Sequence, residues 1–425
     1  MNKKLMTLAV AGALAPAAAL AQNYSVYGRL TLGVDTYEAK GATDLTAAAN
    51  SVPGNDYLKR ARVYDNGSRV GFRGTEDLGG GVQAVFLIET GVNVDNGSTA
   101  GQSGAANTST GTWGSRVGHV GLSGSAGLVT WGRSNVYWTN GTIEQVGANW
   151  LNIGCQVCTG TFGRGMGVGV TRVSNTMQYT SPTWAGFNFV ASYSPSRQEA
   201  QPNGTNVDAK AYGLTLQGTH GPFAWGVDYG QDKGNTPNQV AGVNPPQGEN
   251  QALKLRAAFK YVPAGQISAM LITNKSTAGG PTNAGGSATG LPANCNTTAT
   301  NCDFKQQGVA FGWDHMFGPW HPILWVASVG DITGSGCDAV INGAAAGGLN
   351  GAPAGEQCKK TSSTQITAAI RYIFSKRTHA YISYNKMDNE TRYNHDFTGA
   401  SMTSRTLAAT GADPVVIAAG MIHNF

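Results

Sequence analysis

Basic side chains recur at alternate positions in segments whose other positions are apolar. In one such segment Lys254, Arg256 and Lys260 share one parity, while the residues between them are mostly apolar. Arg29 and Arg69 likewise stand at the parity opposite to their apolar neighbours. Successive side chains of a β-strand point to opposite faces, so these cations belong on a polar face. Fixed cations in water attract anions, which suits charge selection rather than bond making.

The six cysteines fall into three close pairs, each inside one long polar connector. In an exported chain, where thiols are oxidised, this predicts three local disulfides: Cys155 with Cys158, Cys295 with Cys302, and Cys337 with Cys358. The first pair also has the spacing of a redox motif, but the strand–helix–strand context of such motifs is missing. The other pairs lack the spacing of zinc ligands, so we predict no metal and no cofactor.

The elements that carry these residues alternate with two kinds of connector. Short connectors contrast with eight long ones that are rich in Gly, Asn, Thr and Ser, at 39–67, 95–114, 135–173, 195–208, 232–250, 276–303, 332–363 and 389–413. Between them we predict sixteen strands, at 24–35, 68–75, 81–94, 115–122, 128–134, 175–181, 186–194, 209–219, 222–231, 251–261, 266–275, 305–316, 322–331, 364–373, 379–388 and 415–425. Short turns at one end and long loops at the other are typical of outer-membrane β-barrels. The predicted fold is all-β, a transmembrane 16-stranded antiparallel β-barrel.

Period-two alternation separates an apolar face from a polar one in several of these strands. In the strand at 222–231, for example, Phe223, Trp225 and Val227 oppose Gly226 and Asp228. The polar set belongs in a wet lumen, and the apolar set belongs against lipid. Closure of the barrel pairs every strand edge, which hydrocarbon requires.

The N-terminus has the three parts of a secretory signal peptide. Lys3 and Lys4 precede an apolar run, which ends in the small-residue motif Ala19-Leu20-Ala21. We predict cleavage after Ala21, so that residues 1–21 are a signal peptide and residues 22–425 form the barrel. Cleavage removes two lysines and lowers the formal net charge from +5 to +3, a near balance that does not indicate a nucleic-acid partner.

Several segments resemble the Gram-negative general porins, and most closely the branch typical of beta-proteobacteria. Segment 68–81, Ser-Arg-Val-Gly-Phe-Arg-Gly-Thr-Glu-Asp-Leu-Gly-Gly-Gly, resembles their second strand and turn. Segments 26–30 and 115–122 resemble their first and fourth strands, and 421–425 resembles their C-terminal assembly signal. The resemblance runs from 22 to 425. It implies a homotrimer of sixteen-stranded barrels in the outer membrane, each narrowed by an inward-folded third loop.

The resemblance also implies a pore constriction. Arg29, Arg69, Arg116 and Arg172 match basic positions on the inner wall opposite the third loop. The acidic stretch that many general porins carry in that loop is absent here, and Glu144 is the single carboxylate between Asn135 and Val173. The balance of charge at the constriction is therefore expected to be positive.

Two further residues receive predicted roles at the outer face. Arg133 shares the parity of Val129 and Trp131, so we expect it to face a neighbouring subunit. Phe425 ends a strand whose outward parity includes Met421, and we expect barrel assembly to require it.

The function that these features indicate is a water-filled channel for passive diffusion of small hydrophilic solutes, with a preference for inorganic anions. The other expected partners are outer-membrane lipid, lipopolysaccharide and the barrel assembly machinery. A solute-specific channel, a barrel enzyme and an adhesin remain alternatives. Against the enzyme, the sequence contains no Gly-x-Ser-x-Gly, His-Glu-x-x-His or Gly-Lys motif.

Overall fold

The computed structural model of the chain describes residues 23–42, 56–65, 67–95, 113–136, 172–195, 210–233, 249–277, 303–334, 358–391, 393, 397 and 411–425. In this part of the chain the strands are β1 (Asn23–Lys40), β2 (Tyr57–Asp65), β3 (Arg69–Gly79), β4 (Val82–Gly91), β5 (Val117–Gly124), β6 (Gly127–Asn135), β7 (Arg172–Thr180), β8 (Phe187–Ser194), β9 (Lys210–His220), β10 (Phe223–Lys233), β11 (Glu249–Val262), β12 (Gly265–Thr277), β13 (Asp303–His315), β14 (Trp320–Val329), β15 (Ser363–Ile373), β16 (Thr378–Asn389) and β17 (Asp413–Asn424). No helix among the described residues is long and apolar enough to cross a membrane.

The strands form one closed antiparallel sheet. β1 closes the ring by pairing with β17, from Arg29 opposite Asn424 to Lys40 opposite Asp413. The other edge of β1 pairs first with β3 and farther along with β2. Because β2 and β3 follow each other along that one edge, they count as a single interrupted strand, and the seventeen segments make a 16-stranded barrel. The predicted fold class is confirmed; the third loop lies outside the described residues.

Strand β2 corrects the sequence prediction, which placed this segment inside the first long connector. Lys59, Arg60 and Arg62 obscure its alternation in the sequence. In the structure Arg62 forms a two-pronged ion pair with Asp35 of β1, with Nε to Oδ1 at 3.0 Å and Nη2 to Oδ2 at 3.2 Å. A paired, bidentate contact to a buried carboxylate stabilises this extension of the sheet.

The two faces of the barrel differ as the alternation predicts. Large apolar side chains such as Val34, Val120 and Phe311 point outward, with exposed fractions of 56%, 61% and 62%. On the inner face, Thr31 and Thr215 are polar and buried. The closed ladder pairs the backbone groups of the wall, so the outer face is suited to hydrocarbon.

The last strand carries the predicted outward parity, because Ile417, Met421 and Phe425 are all exposed on the outer face. The backbone of Phe425 exchanges two hydrogen bonds with Gly28 of β1. Gly28 N donates to Phe425 O at 3.0 Å, and Phe425 N donates to Gly28 O at 3.1 Å. The final residue therefore belongs to the ladder that closes the barrel. Its role in assembly stays a prediction.

Two tyrosines meet across this closure on the inner face. In the register of the sheet, Tyr64 of β2 lies opposite Gly33, Gly33 opposite Gly420, and Gly420 opposite Tyr381 of β16. A Cβ on either glycine would lie 2.7 Å from the nearer tyrosine hydroxyl, so only glycine leaves room for the two rings. Their hydroxyls share a hydrogen bond. This tyrosine bridge joins β2 to β16 over the first and last strands.

Candidate functional site

Three of the four arginines predicted for the inner wall form one patch. Arg29 on β1 stands opposite Arg69 on β3, and Arg69 stands opposite Gly91 on β4. Arg116 lies just before β5 and reaches the same patch from the next strand. Guanidinium groups this close repel one another, so the patch needs a compensating anion.

Glu89 of β4 is that anion. Its Oε1 accepts a hydrogen bond from Arg116 Nε at 2.7 Å, and its Oε2 lies 3.6 Å from Arg69 Nε. The Tyr27 hydroxyl donates to Oε2 at 3.1 Å. The sequence prediction missed Glu89. The signal was present, because Glu89 follows the outward-facing Ile88 and must therefore point into the lumen.

A glycine makes this arrangement possible. Gly71 lies between Tyr27 and Glu89 in the register of the sheet. A Cβ at Gly71 would lie 2.4 Å from Tyr27 Cζ, so the tyrosine ring can cross β3 only because that position has no side chain. The guanidinium of Arg73, two residues along β3, lies over the same ring at 5.2 Å from its centroid.

The fourth predicted arginine, Arg172, begins β7. It is close enough to Arg69, Arg116 and Glu89 to interact with their charges. We call Arg29, Arg69, Arg116, Arg172 and Glu89 the arginine sector; the carboxylate of Asp65 also acts on the charge of Arg29, and the guanidinium of Arg133 acts on that of Arg172. Within the described part of the chain, Arg29 Nη2 and Arg172 Nε are buried nitrogens without a hydrogen-bond acceptor.

Arg133 keeps the outward parity that the sequence predicts, since it stands opposite Gly118. Its Nε donates to Ser115 O at 3.0 Å, and its Nη1 donates to Ser174 Oγ at 3.0 Å. Two nitrogens of this side chain thus form hydrogen bonds within the same barrel. Its predicted contact with a neighbouring subunit stays a prediction.

A second group of charges lies on β10 and β11. Asp228 is fully buried between Lys254 Nζ at 3.3 Å and Arg256 Nε at 2.9 Å. Thr215 Oγ1 also donates to Asp228 at 2.8 Å. Lys254 and Arg256 share the predicted inward parity, but both are buried and ion-paired, so they are not open lumen cations. Lys260, at the same parity near the end of β11, is exposed.

Among the described residues, a third region of the inner wall is lined by uncharged side chains. On β12 to β15 the inward residues Met270, Ile272, Ala310, Ile323, Trp325 and Thr367 are all buried. We call this set the uncharged sector. Toward the short-turn end it is bounded by Asp314, His321 and Arg371, which are linked through the imidazole by contacts of 2.9 Å and 2.6 Å.

The last long connector also contributes to the interior. Tyr393 and Phe397 are completely buried and belong to the same apolar cluster as Phe304 and Trp325. The Tyr393 hydroxyl donates to Gln306 Oε1 of β13 at 3.3 Å. Sequence analysis treated this connector only as a polar loop, and its two aromatic residues were the signal that it packs inward.

The remaining predicted residues lie outside the described part of the chain. These are Glu144 and the cysteines Cys155, Cys158, Cys295, Cys302 and Cys337. Cys358 is described and is disulfide-bonded, although its partner lies beyond the described residues. Among the described residues, no cluster of three or more His, Cys, Asp or Glu side chains is arranged to hold a metal ion.

The arginine sector is suited to acting on passing charge. Its guanidinium groups are positively charged, and the rigid wall fixes their positions. Arg69 and Arg116 retain exposed side-chain fractions of 31% and 16%. A solute that moves along this wall therefore meets a field of mainly positive sign.

Known proteins resemble this chain in sequence. The family model described as Gram-negative porin matches residues 7–392. An outer membrane porin protein of Bordetella pertussis is 29% identical over 249 residues, which cover 54% of this chain and 60% of that protein. Major outer membrane protein P.IB of Neisseria gonorrhoeae is 30% identical over 226 residues, 51% of this chain and 54% of the relative. The chain therefore matches little more than half the length of these relatives.

Solved structures resemble it in fold. The anion-selective porin from Comamonas acidovorans has a TM-score of 0.67 at 19% identity, with 95% of this chain and all of that chain covered. Outer-membrane expressed OmpT of Vibrio cholerae has a TM-score of 0.58 at 11% identity, covering 95% of this chain and 98% of that chain. At these identities the likeness supports the barrel fold alone.

Proposed function

Because the chain belongs to the Gram-negative porin family, we propose that it forms a water-filled channel for passive diffusion of small hydrophilic solutes, with a preference for anions. As a porin it is an integral protein of the outer membrane and not an enzyme.

The observation that carries the anion preference is the charge balance of the arginine sector. Of its five residues, four carry guanidinium groups and one, Glu89, carries a carboxylate; the buried carboxylate of Asp65 lies close enough to Arg29 to offset part of its charge. The energy required is small, because about 1.4 kcal/mol between an anion and a cation gives tenfold discrimination. Screening acts over about 8 Å at physiological ionic strength, so the field is felt where the passage is narrow. The structurally similar porin from Comamonas acidovorans is anion-selective, which agrees with this proposal.

Three finer points belong to the same proposal. The third long connector, with Glu144, folds inward opposite the arginine sector and narrows the passage. The protein is a homotrimer, with Arg133 near the contact between subunits, and lies among outer-membrane lipid and lipopolysaccharide after insertion by the barrel assembly machinery. The three cysteine pairs form disulfides within their connectors. Resemblance to general porins and the spacing of the cysteines support these points.

Reversal potential tests the channel and its preference together. Purified protein in a planar bilayer should give stepwise, ohmic currents, and under a potassium chloride gradient the reversal potential should have the sign of chloride preference. The preference should weaken as salt rises, since screening shortens the range of the field. Absence of current steps would contradict the channel. A potassium preference at low salt would contradict the sign of the selectivity.

A further inference from the structure

We propose that Glu89 is a specificity-determining residue whose negative charge limits the anion preference of the channel. This rests on the proposed anion-preferring channel and assigns its strength to a residue of the wall. Replacing the carboxylate by its uncharged isostere should make the channel more selective for anions.

The position of Glu89 supports this role. It shares the inner face with Arg29 and Arg69, and it stands opposite Gly71 and Val117 in the register of the sheet. Its side chain keeps an exposed fraction of 13%, so its charge acts on the lumen as well as on its neighbours. Contributions to an electrostatic potential add, so the negative charge of Glu89 opposes the positive field of the neighbouring arginines.

The contacts of Glu89 also fix where that charge sits. One oxygen is held by Arg116 at 2.7 Å, and the other by the Tyr27 hydroxyl at 3.1 Å and by Arg69 at 3.6 Å. Residues of β1 and β3, and the residue that precedes β5, therefore hold the carboxylate within the patch. A carboxylate that is held by three partners on a rigid wall stays in one position, so its contribution to the electric field in the lumen is constant.

A purely structural role predicts the opposite result. If Glu89 served only to hold Arg116 and Arg69 in place, its removal would release these side chains and weaken the anion preference. The two roles therefore differ in the sign of the change, and Arg116 offers a way to separate them.

The experiment is a double-mutant cycle read by reversal potential at low salt, with wild type, Glu89→Gln, Arg116→Gln and the double variant. Under this proposal Glu89→Gln raises the chloride-to-potassium permeability ratio about threefold, as expected for one unit charge within a screening length. Arg116→Gln lowers the ratio by a similar factor, and the double variant returns close to the wild-type ratio. Glu76→Gln, which removes an exposed carboxylate at the turn end of β3, serves as the matched control and should leave the ratio unchanged.

The outcomes separate this inference from the proposed function. A wild-type channel that prefers potassium refutes the proposed function itself. A wild-type channel that prefers chloride, with an unchanged or lowered ratio in Glu89→Gln, refutes the role of Glu89 and leaves the channel intact. Breaking one side of an ion pair can prevent folding. In Arg116→Gln the carboxylate of Glu89 keeps its contacts with Arg69 and Tyr27, so comparing the double variant with Arg116→Gln measures the effect of Glu89 even where Glu89→Gln alone does not fold. A permeability ratio of the double variant no higher than that of Arg116→Gln overturns the proposal.

Discussion

The arginine sector and the uncharged sector occupy two parts of the same inner wall, yet they differ in access to water. Arg69, Arg116 and Glu89 keep exposed fractions of 31%, 16% and 13%, whereas Ile323 and Trp325 have 2% and 1%. The parity of a residue thus decides on which face of the barrel wall its side chain lies, but not whether water in the lumen contacts that side chain. We therefore expect charge selection to depend on the first sector and packing stability to depend on the second.

The ion group around Asp228 explains why this separation holds. Charges can be buried inside the barrel only when they are paired, because an unpaired buried charge loses its hydration without compensation. Lys254 and Arg256 meet that condition through Asp228 and become part of the packed wall. In the arginine sector, by contrast, Arg69 and Arg116 keep partly exposed side chains, which water in the lumen can hydrate.

The largest expected effect concerns the seam between the two parts of the wall, where β17 pairs with β1. Deleting Phe425 removes the paired backbone that ends this seam, so we expect outer-membrane levels to fall about tenfold or more, since an unpaired edge is costly in hydrocarbon. Surface labelling measures these levels. Asn424→Ala, a neighbouring inward change that keeps the terminal residue, is the control. Wild-type levels of the deletion variant would show that the seam closes without Phe425.

A second prediction tests whether the uncharged sector serves stability alone. Trp325→Ala should lower the free energy of unfolding by about 3 kcal/mol or more, because a large buried ring leaves a cavity. Its reversal potential should equal that of wild type. Thermal unfolding in detergent gives the first quantity, and a planar bilayer gives the second. Trp320→Ala, an exposed tryptophan on the same strand, should be milder. A changed permeability ratio in Trp325→Ala would contradict the prediction that the uncharged sector contributes to stability alone.

The smallest expected effect sharpens the description of the arginine sector. Gly71→Ala places a Cβ against the Tyr27 ring and should cost about 1–2 kcal/mol of stability through overpacking. The displaced tyrosine releases its hydrogen bond to Glu89, so a small shift in reversal potential should accompany the loss. Gly91→Ala is the matched control, since its nearest contact would be Arg116 Cδ at 3.7 Å. Equal stability of the two variants would mean that Tyr27 does not depend on crossing Gly71.

Much of the fold was predictable because a barrel wall repeats one simple pattern. Strands such as β10 and β11 alternate cleanly between apolar and polar residues, and the sequence places both within a few residues of their ends. Strand β2 was not predictable in this way. Its stabilising partner, Asp35, lies on another strand, so its basic residues look like a polar connector until the register is known.

The candidate site was predictable in part. Parity placed Arg29 and Arg69 on the inner wall, and resemblance added Arg116 and Arg172. The compensating carboxylates Glu89 and Asp228 were missed as partners, because pairing depends on which strands are neighbours and in what register. For the same reason Lys254 was predicted to face the lumen, although it lies buried against Asp228.

The tyrosine bridge over the seam has a consequence for the timing of folding. Tyr64 and Tyr381 are 317 positions apart in the chain, and no local segment brings them together. Their hydrogen bond requires that the first and last strands have paired, so we expect it to form late in folding. An interaction that is absent from the transition state affects the rate of unfolding rather than the rate of folding. We therefore expect the bridge to lengthen the lifetime of the closed ring rather than to speed its formation.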